Sequence, residues 1–330
     1  MDSVEKICSQ SLQISEGLAR LELVHVAVEE DMGVAARPFV LCGLPLRRSR
    51  ELVHTRSNGD FLLRIKADPE FGLPFGQDAL ILIAVATLAQ QPWRLPADPL
   101  RERYREDIAR ERHISQERVL VFESGAQLLD LFGLAKDGRY YKRLIEGFQR
   151  LSNSTIHFAN LEEPQVSKIW DSGEYLHFFD RLRLWYHCMD SRAQAVLSDT
   201  QFYNVVIFSE QFARELRLHP LPTDLGLAGR LAGSPGALYF AQWVAYRSYR
   251  AAADQELPLF TPTGVMAQMG VPQNLGQREF RRYLRDWIDT IERAGWYDLP
   301  VDIAPLGQAL LVRPQAKNPT GLSGKGEFST

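Results

Sequence analysis

Hydrophobic and polar residues follow patterns along this chain that predict short strands and amphipathic helices. Residues 51–57 and 60–66 are predicted as two strands around Asn58-Gly59, a pair that favours a type I′ hairpin turn because both central positions take positive φ. An almost wholly apolar helix is predicted over residues 77–90, and a charged, solvent-exposed helix over residues 101–112. Every apolar run is far shorter than the roughly 20 residues of a membrane span, so we expect no membrane segment.

A helix–turn–helix pattern follows in the first half of the chain. Residues 119–122 are predicted as a strand, and Ser124 with Gln127 has the spacing of a capping box at a helix start. That short helix is expected to end at Gly133, because glycine commonly follows a helix end. A longer helix is predicted over residues 138–152.

Strand patterns at residues 155–159 and 175–179 are expected to pair as a hairpin after this second helix. The second half of the chain then repeats the order of elements. Its predicted elements are a strand at residues 202–208, helices at 234–251, 261–270 and 275–294, and a hairpin formed by 296–304 and 309–313. The pattern therefore predicts an α+β fold of tandem winged-helix (helix–turn–helix) domains with an N-terminal β-hairpin extension.

Four segments are predicted from this organisation. They are an N-terminal arm with the β-hairpin at residues 1–70, a first winged-helix domain at 71–195 for dimerisation and DNA contact, a second at 196–314 for most of the DNA reading, and a disordered tail at 315–330. The tail is rich in glycine and serine, which is typical of chain ends without fixed structure.

The longer helix of each helix–turn–helix pattern carries a basic stripe opposite its apolar face. At 100° per residue, the four basic residues of each stripe fall within about 100° of the helix circumference. They are Arg139, Lys142, Arg143 and Arg150 in the first helix, and Arg278, Arg281, Arg282 and Arg285 in the second. Cations crowded at the N-terminus of the second helix oppose its dipole, and phosphate groups bound at that end would offset this cost.

We therefore predict that both helices bind DNA. The arginine fork can read guanine O6 and N7 in the major groove, and Gln277 and Asn274 are placed to add adenine contacts. The second helix is expected to give most of the base readout, while the first contacts a neighbouring groove or mainly phosphates. A charged face is also typical of solvated amphipathic helices, so a scaffold protein that does not bind DNA is one alternative.

The composition is that of an ordinary soluble protein. Hydrophobic residues make up 45% and charged residues 24% of the 330 residues, which excludes a disordered or fibrous chain. The net charge of −3, from 38 basic and 41 acidic residues, is a sum over an acidic body and two basic stripes, so it does not exclude DNA binding. Cys8, Cys42 and Cys188 are far apart, which is typical of reduced thiols in a cytoplasmic protein.

The sequence contains no recognisable catalytic or cofactor motif, and we expect neither an enzyme nor a bound metal or cofactor. One catalytic alternative is a replication nuclease that nicks DNA, with Tyr140-Tyr141 as the nucleophile and a metal held by two histidines flanking one apolar residue. Each of the three candidate metal segments contains a single histidine, and they are Val24-His25-Val26, Ile156-His157-Phe158 and Leu176-His177-Phe178. Tyr141 also falls on the core face of its helix, so packed tyrosines are the favoured interpretation.

These features together resemble the plasmid-encoded RepA-type replication initiators. The segments that carry the resemblance lie in order along most of the chain, and they are Leu73-Pro74-Phe75-Gly76-Gln77-Asp78, Leu80-Ile81-Leu82-Ile83, Thr87-Leu88-Ala89, Leu131-Phe132-Gly133-Leu134, Phe208-Ser209-Glu210-Gln211-Phe212, Pro222-Thr223-Asp224-Leu225, Ser234-Pro235-Gly236-Ala237-Leu238, Leu257-Pro258-Leu259-Phe260 and Phe280-Arg281-Arg282-Tyr283-Leu284. The chain departs from the family at Ala79, where many relatives have a basic residue, and in lacking a glycine pair before Arg139.

The resemblance implies an initiator that binds double-stranded DNA at repeated origin sites (iterons), helps to open the duplex, and recruits the host initiator ATPase and the replicative helicase. It also implies autorepression at an operator by a homodimer in equilibrium with a monomer, with the first domain forming the dimer. A winged-helix transcriptional regulator without an origin function is a further alternative.

Overall fold

The computed structural model describes residues 32–35, 44–46, 51–57, 61–160, 177–184, 203–218, 221–261, 264–271 and 275–314. The chain separates into two compact units, Met1–Met32 and Gly33–Thr330, and the elements discussed below belong to the second, except that the first strand begins at Met32. The predicted Asn58-Gly59 turn and the predicted tail at residues 315–330 lie outside the described residues.

The architecture combines helices with small antiparallel sheets, which confirms the predicted α+β class. The helices are α1 (Asp78–Gln90), α2 (Pro99–Glu111), α3 (Gly125–Asp130), α4 (Gly138–Ser152), α5 (Glu210–Leu218), α6 (Leu225–Arg230), α7 (Pro235–Arg250), α8 (Val265–Gln268) and α9 (Gln277–Arg293). The strands are β1 (Met32–Ala35), β2 (Val53–Ser57), β3 (Phe61–Lys66), β4 (Val119–Phe122), β5 (Thr155–Asn160), β6 (Phe179–Arg183), β7 (Asn204–Phe208), β8 (Leu221–Asp224), β9 (Gln255–Pro258), β10 (Val301–Ile303) and β11 (Ala309–Val312). Within the described ranges, no helix is both long and apolar enough to cross a membrane.

Two sets of elements share one topology. The first repeat consists of α1, β4, α3, α4, β6 and β7, and its sheet has the order β4-β7-β6; the second repeat consists of α7, β9, α8, α9, β10 and β11, and its sheet has the order β9-β11-β10. In both sheets the last strand lies in the centre and runs antiparallel to its two neighbours. The internal duplication predicted from the order of elements is therefore present, with different strand membership.

The strand pairing corrects two predictions. Residues 155–159 were expected to pair with 175–179, but β5 pairs with β3, from Phe61↔Asn160 to Lys66↔Thr155, and extends the predicted β2–β3 hairpin to three strands. The strand predicted at residues 202–208 was expected to open the second half, but β7 completes the sheet of the first repeat. The pairing of strands depends on how their side chains are buried in the whole fold. The hydrophobic periodicity of a single strand contains no information on its partner.

The first sheet is covered on both faces, which explains why β4 and β7 are apolar at nearly every position. Leu120, Phe122, Val206 and Phe208 belong to the main core. Val119, Val121, Val205 and Ile207 alternate with them and pack with Ala109 of α2. Helix α2 thus covers the outer face of the sheet, and all residues of β4 and β7 are buried.

Each repeat contains a short helix followed by a longer one, α3 with α4 and α8 with α9, and both short helices end in the same way. Gly133 after α3 and Gly270 after α8 take φ values of 60° and 63°, a conformation that glycine adopts without a steric penalty. The residue after each glycine donates its N–H to a carbonyl five positions back, from Leu134 to Leu129 and from Val271 to Met266, as in a Schellman motif. The predicted end at Gly133 and the capping box at Ser124 are confirmed.

Helices α1 and α4 cross closely at Gly147. A Cβ atom at this position would lie 2.7 Å from Asp78 Oδ1 and would also overlap Ile81. Asp78 is buried and accepts two hydrogen bonds of 2.8 Å from Arg150 Nε and Nη2, and one of 2.9 Å from the N–H of Phe75. Burial raises the pKa of the Asp78 carboxyl, and the bonds from Arg150 act in the opposite direction. The crossing therefore depends on a small residue and a bidentate ion pair together.

We expect Gly147→Ala to destabilise the protein by about 1–3 kcal/mol, because the added methyl group forces α1 and α4 apart in a packed core. Urea unfolding measures this change. Gly138→Ala is the matched control in the same helix: a Cβ there meets no atom within 4 Å, so stability should change by less than about 1 kcal/mol, in the favourable direction. Equal stability of the two variants would contradict the proposed close crossing.

Asp98 joins α2 to β7. Its Oδ1 accepts from the N–H groups of Leu100 and Arg101, and its Oδ2 accepts a 2.6 Å hydrogen bond from the Tyr203 hydroxyl. The Tyr203 hydroxyl is the largest cause that lowers the pKa of Asp98 below its usual 3.8. Burial, followed by the bond to Asp98, raises the pKa of Tyr203 to about 12.

These shifts fix the sign of a pH dependence. Because the pKa of Asp98 is lowered by folding, its contribution to stability is present above about pH 4 and is lost as the pH falls through the folded pKa. We expect Tyr203→Phe to unfold at a lower temperature than the wild type at pH 7, with the difference shrinking below about pH 4. Thermal unfolding across this range measures it, and Tyr297→Phe, at an exposed tyrosine, should follow the wild type throughout. A constant difference between Tyr203→Phe and the wild type would refute this account.

Candidate nucleic-acid interface

Helix α9 presents one buried and one basic face. Phe280, Leu284, Trp287 and Ile291 recur at three- and four-residue spacing and are all buried, as expected of an amphipathic helix packed on a core. On the opposite side Arg278, Arg282 and Arg285 are exposed. Arg278 and Arg285 make no hydrogen bond or ion pair with the residues that the structure describes. The apolar face therefore fixes the rotation of the helix so that these arginines point to solvent.

Arg281 has a different role from the other three arginines. It is half-buried, its guanidinium lies 5.0 Å from the centre of the Phe260 ring, and its Nε donates a 2.6 Å hydrogen bond to the carbonyl of Gly307. Gly307 takes a φ of 61° in the turn between β10 and β11. Arg281 thus attaches the tip of this hairpin to the N-terminal half of α9, and the neighbouring Leu306 is 86% exposed.

Charge is also separated along the axis of α9. The first half carries four arginines and one acid, Glu279, whereas the second half carries Asp286, Asp289 and Glu292 and one base, Arg293. The helix begins after Gly276, which offers no side chain to its free backbone N–H groups. Free N–H groups together with nearby arginines favour phosphate at a helix N-terminus. The N-terminal half of α9 is therefore the part suited to approach a polyanion.

Helix α4 presents a smaller basic surface. Arg139, Lys142 and Arg143 are exposed, and Arg139 lies at the second position of its helix, as Arg278 does in α9. Asp137 caps α4 through a 2.9 Å bond from the N–H of Tyr140, and this bond lowers the pKa of Asp137. Because a carboxylate already occupies this N-terminus, α4 is less suited than α9 to bind phosphate there.

Arg150 does not belong to this surface, although the helical wheel places it on the basic stripe. Its side chain is only 7% exposed and is held by Asp78. Glu146, whose Oε2 lies 3.8 Å from Arg150 Nη1, adds a second acidic neighbour. Arg150 therefore stabilises the packing of α1 against α4. The helical wheel placed Arg150 wrongly on the exposed surface, because the angle of a residue on its own helix does not indicate whether another helix covers it.

Of the two polar candidates, Gln277 is exposed at the first position of α9, next to Arg278. Asn274 lies outside the described residues. The contact between Arg281 and Gly307 could not be predicted from the sequence, because the segment between the predicted strands 296–304 and 309–313 does not indicate which helix it contacts. The four arginines therefore divide into three exposed candidates for DNA contact and one that positions the hairpin.

The tyrosine pair of the nuclease alternative is built into the helix packing. Tyr140 lies between Arg139 and Arg143, whose guanidinium carbons are 5.8 and 5.4 Å from its ring centre. A Cβ at Gly125 would come within 3.3 Å of the Tyr141 ring, so Tyr141 packs against α3. Among the residues that the structure describes, no three His, Cys, Asp or Glu side chains are grouped to hold a metal ion.

The fold is similar to that of a solved protein. No protein-family model and no curated protein match the sequence. A crystal structure of domains 2 and 3 of RctB aligns with 86% of this chain and 100% of its own, with a TM-score of 0.51 and 13% identity. A second structure, of RctB residues 155–483, aligns with 84% of this chain and 96% of its own at a TM-score of 0.45 and 12% identity. At this level of identity, the similarity to the first structure shows that the two proteins share a fold.

Proposed function

We propose that this chain is a replication initiator that binds repeated sites at an origin through two winged-helix repeats. The observation that carries the proposal is the duplication itself: each repeat places a helix with exposed arginines directly after a short helix and a Schellman turn. The fold shared with domains 2 and 3 of RctB, a replication initiator, supports the same class. The resemblance to RepA-type initiators adds iteron binding and autorepression to the proposal.

In this proposal, α9 enters the major groove with its N-terminal half. Recognition helices of helix–turn–helix proteins contact base edges with their N-terminal residues, and Arg278, Arg282 and Arg285 are exposed in that part of α9. The β10–β11 hairpin acts as the wing, and Arg281 keeps its tip beside the helix. Because α9 and the hairpin tip are held together, their two DNA contacts restrict the orientations in which the protein can bind.

Helix α4 supplies a second contact that depends mainly on charge. Arg139, Lys142 and Arg143 lie close to phosphates of a neighbouring groove in this arrangement, and lysine acts there as a point charge. The net charge of −3 predicts weak binding to random DNA, because the overall charge has the same sign as the phosphate backbone. We further propose that the bound initiator opens the duplex without cleaving it, recruits the host initiator ATPase and replicative helicase, and exchanges between monomer and homodimer.

We expect Arg282→Ala to weaken binding to the specific site by about 1–3 kcal/mol more than binding to random DNA, because an arginine that reads a base contributes to specificity. Fluorescence anisotropy with both DNAs measures the difference. Arg293→Ala is the matched control, since Arg293 lies at the other end of α9 and bonds to Asp289 and Thr290. An equal loss of affinity for both DNAs would show that Arg282 contacts a phosphate and does not read a base.

The same measurement at several salt concentrations separates the initiator from a scaffold. Each phosphate contact gives log K a slope of about −0.9 against log salt, so replacing Arg139 or Lys142 by glutamine should reduce the slope by about one unit each. A flat salt response of the wild type would instead favour a scaffold whose basic residues are merely solvated.

Replication in cells tests the initiator function against a transcriptional regulator. We expect a minimal replicon that carries this gene with its flanking DNA to transform a host without another origin, and the Arg282→Ala version to give at least tenfold fewer transformants. The Arg293→Ala version should transform as the wild type does, because its DNA contacts are intact. Specific DNA binding in vitro without any transformants would favour the regulator.

A further inference from the structure

A cavity of about 280 Å³, partly open to solvent, lies between α1, α3 and α4 of the first repeat and is bordered by Ala232 after α6. Buried apolar side chains from α1, α3 and the turn after α3 line it, and they include Leu80, Ile81, Ala84, Leu128 and Phe132. At about 30 Å³ for each water-sized group, the space holds roughly nine or ten non-hydrogen atoms. A mostly apolar cavity with a few polar groups is the usual form of a small-molecule site.

The second repeat packs the corresponding helices differently. Trp243 of α7 and Trp287 of α9 both lie about 6 Å from Phe240, and Tyr283 stacks on Trp287. Trp243 also donates a 2.9 Å hydrogen bond to Gln268 of α8, so aromatic rings tie all three helices together. The cavity in the first repeat is therefore not a requirement of this topology, since the same arrangement of three helices is compatible with an aromatic core.

Three hydrogen-bond donors line the cavity together with its apolar wall. They are the Gln77 amide, the Tyr140 hydroxyl and the Arg143 guanidinium. None of these side chains makes a hydrogen bond or an ion pair with the residues that the structure describes. The other charged groups at the cavity are already paired: Arg150 with Asp78 at 2.8 Å, and Glu146 with Lys142 at 3.9 Å. Arg143 is thus the cation at this site that lacks a carboxylate partner within the described ranges.

We propose that this cavity binds a small amphiphilic carboxylate, with a hydrocarbon body of about eight carbons. The chain enters the apolar space between α1 and α3, and the carboxylate accepts hydrogen bonds from Arg143 and from Tyr140 or Gln77. Desolvation of the alkyl chain supplies the affinity, and the arginine supplies the selectivity for a charged head group over a neutral one.

Occupancy of the cavity also affects DNA binding, and this consequence rests on the proposed function. Arg143 belongs both to the cavity and to the exposed basic surface of α4. A carboxylate paired with Arg143 neutralises one of three cations that contact phosphates. The ligand would therefore weaken DNA binding through α4, while leaving the contacts of α9 unchanged.

The test uses the full chain and octanoate as the probe, with 1-octanol as its uncharged control. Isothermal titration calorimetry should show octanoate binding with a Kd between about 10 µM and 1 mM. Arg143→Gln should weaken this binding about tenfold, to the level of 1-octanol. Arg139→Gln is the matched control on the same helix, outside the cavity, and should bind octanoate as the wild type does.

Two variants fill the cavity from different elements. Ala84→Leu acts from α1 and Ala232→Leu from the turn after α6, and both residues line the space. Each variant should abolish octanoate binding. Circular dichroism shows whether a variant is folded, and one folded variant is enough for the test. No octanoate binding by the wild type, or unchanged binding by a folded filled variant, would overturn the proposal.

DNA anisotropy with and without octanoate keeps the two proposals separate. The wild type should bind DNA several-fold more weakly in saturating octanoate, whereas Arg143→Gln should not respond. If octanoate binds as described and the protein has no affinity for DNA, the proposed function fails and the ligand site stands. If DNA binds and octanoate does not, the ligand site fails alone.

Discussion

The buried ion pair between Asp78 and Arg150 determines how α4 packs against α1 in the first repeat. Removing two charges from water costs several kcal/mol for each ion, and here the cost is offset by two bonds of 2.8 Å and by the N–H of Phe75. The geometry is satisfied in one register of α4 against α1, so the pair fixes the rotation of α4. That rotation exposes Arg139, Lys142 and Arg143 and turns Tyr140 toward the cavity.

The two repeats reach the same topology with opposite packing. At the crossing of α1 and α4 the small residue is Gly147 on the later helix, whereas at the crossing of α7 and α9 it is Gly236 on the earlier helix. A Cβ at Gly236 would lie 2.5 Å from Nε1 of the Trp287 ring, so an aromatic side chain fills the space at this crossing. This difference suits a division of roles, in which the second repeat is a rigid support for α9 and the first retains space beside α4.

Much of the local structure could be predicted from the sequence, because it depends on residues close together in the chain. The capping box at Ser124, the end of the helix at Gly133 and the bounds of α4 all follow from side chains and turns within a few residues. The exposure of Arg278, Arg282 and Arg285 also followed, since an apolar face with helical spacing leaves the opposite face in solvent. Hydrophobic periodicity does not indicate which strands pair, however: the sequence analysis gave β5 the wrong partner and placed β7 in the second half of the chain, whereas it belongs to the first sheet.

The pattern of the sequence predicts an α+β chain in which a short helix followed by a longer basic helix occurs twice, and the structure contains both pairs. Which of the basic residues remain free to contact DNA depends on the tertiary structure. Arg150 is held by a carboxylate 72 positions away, and Arg281 bonds to a carbonyl 26 positions away. Neither contact can be predicted from the spacing of nearby residues, because the free energy of a charged side chain depends on the groups that surround it in the folded protein. The cavity has the same origin, since its walls come from segments that meet only after the chain has folded.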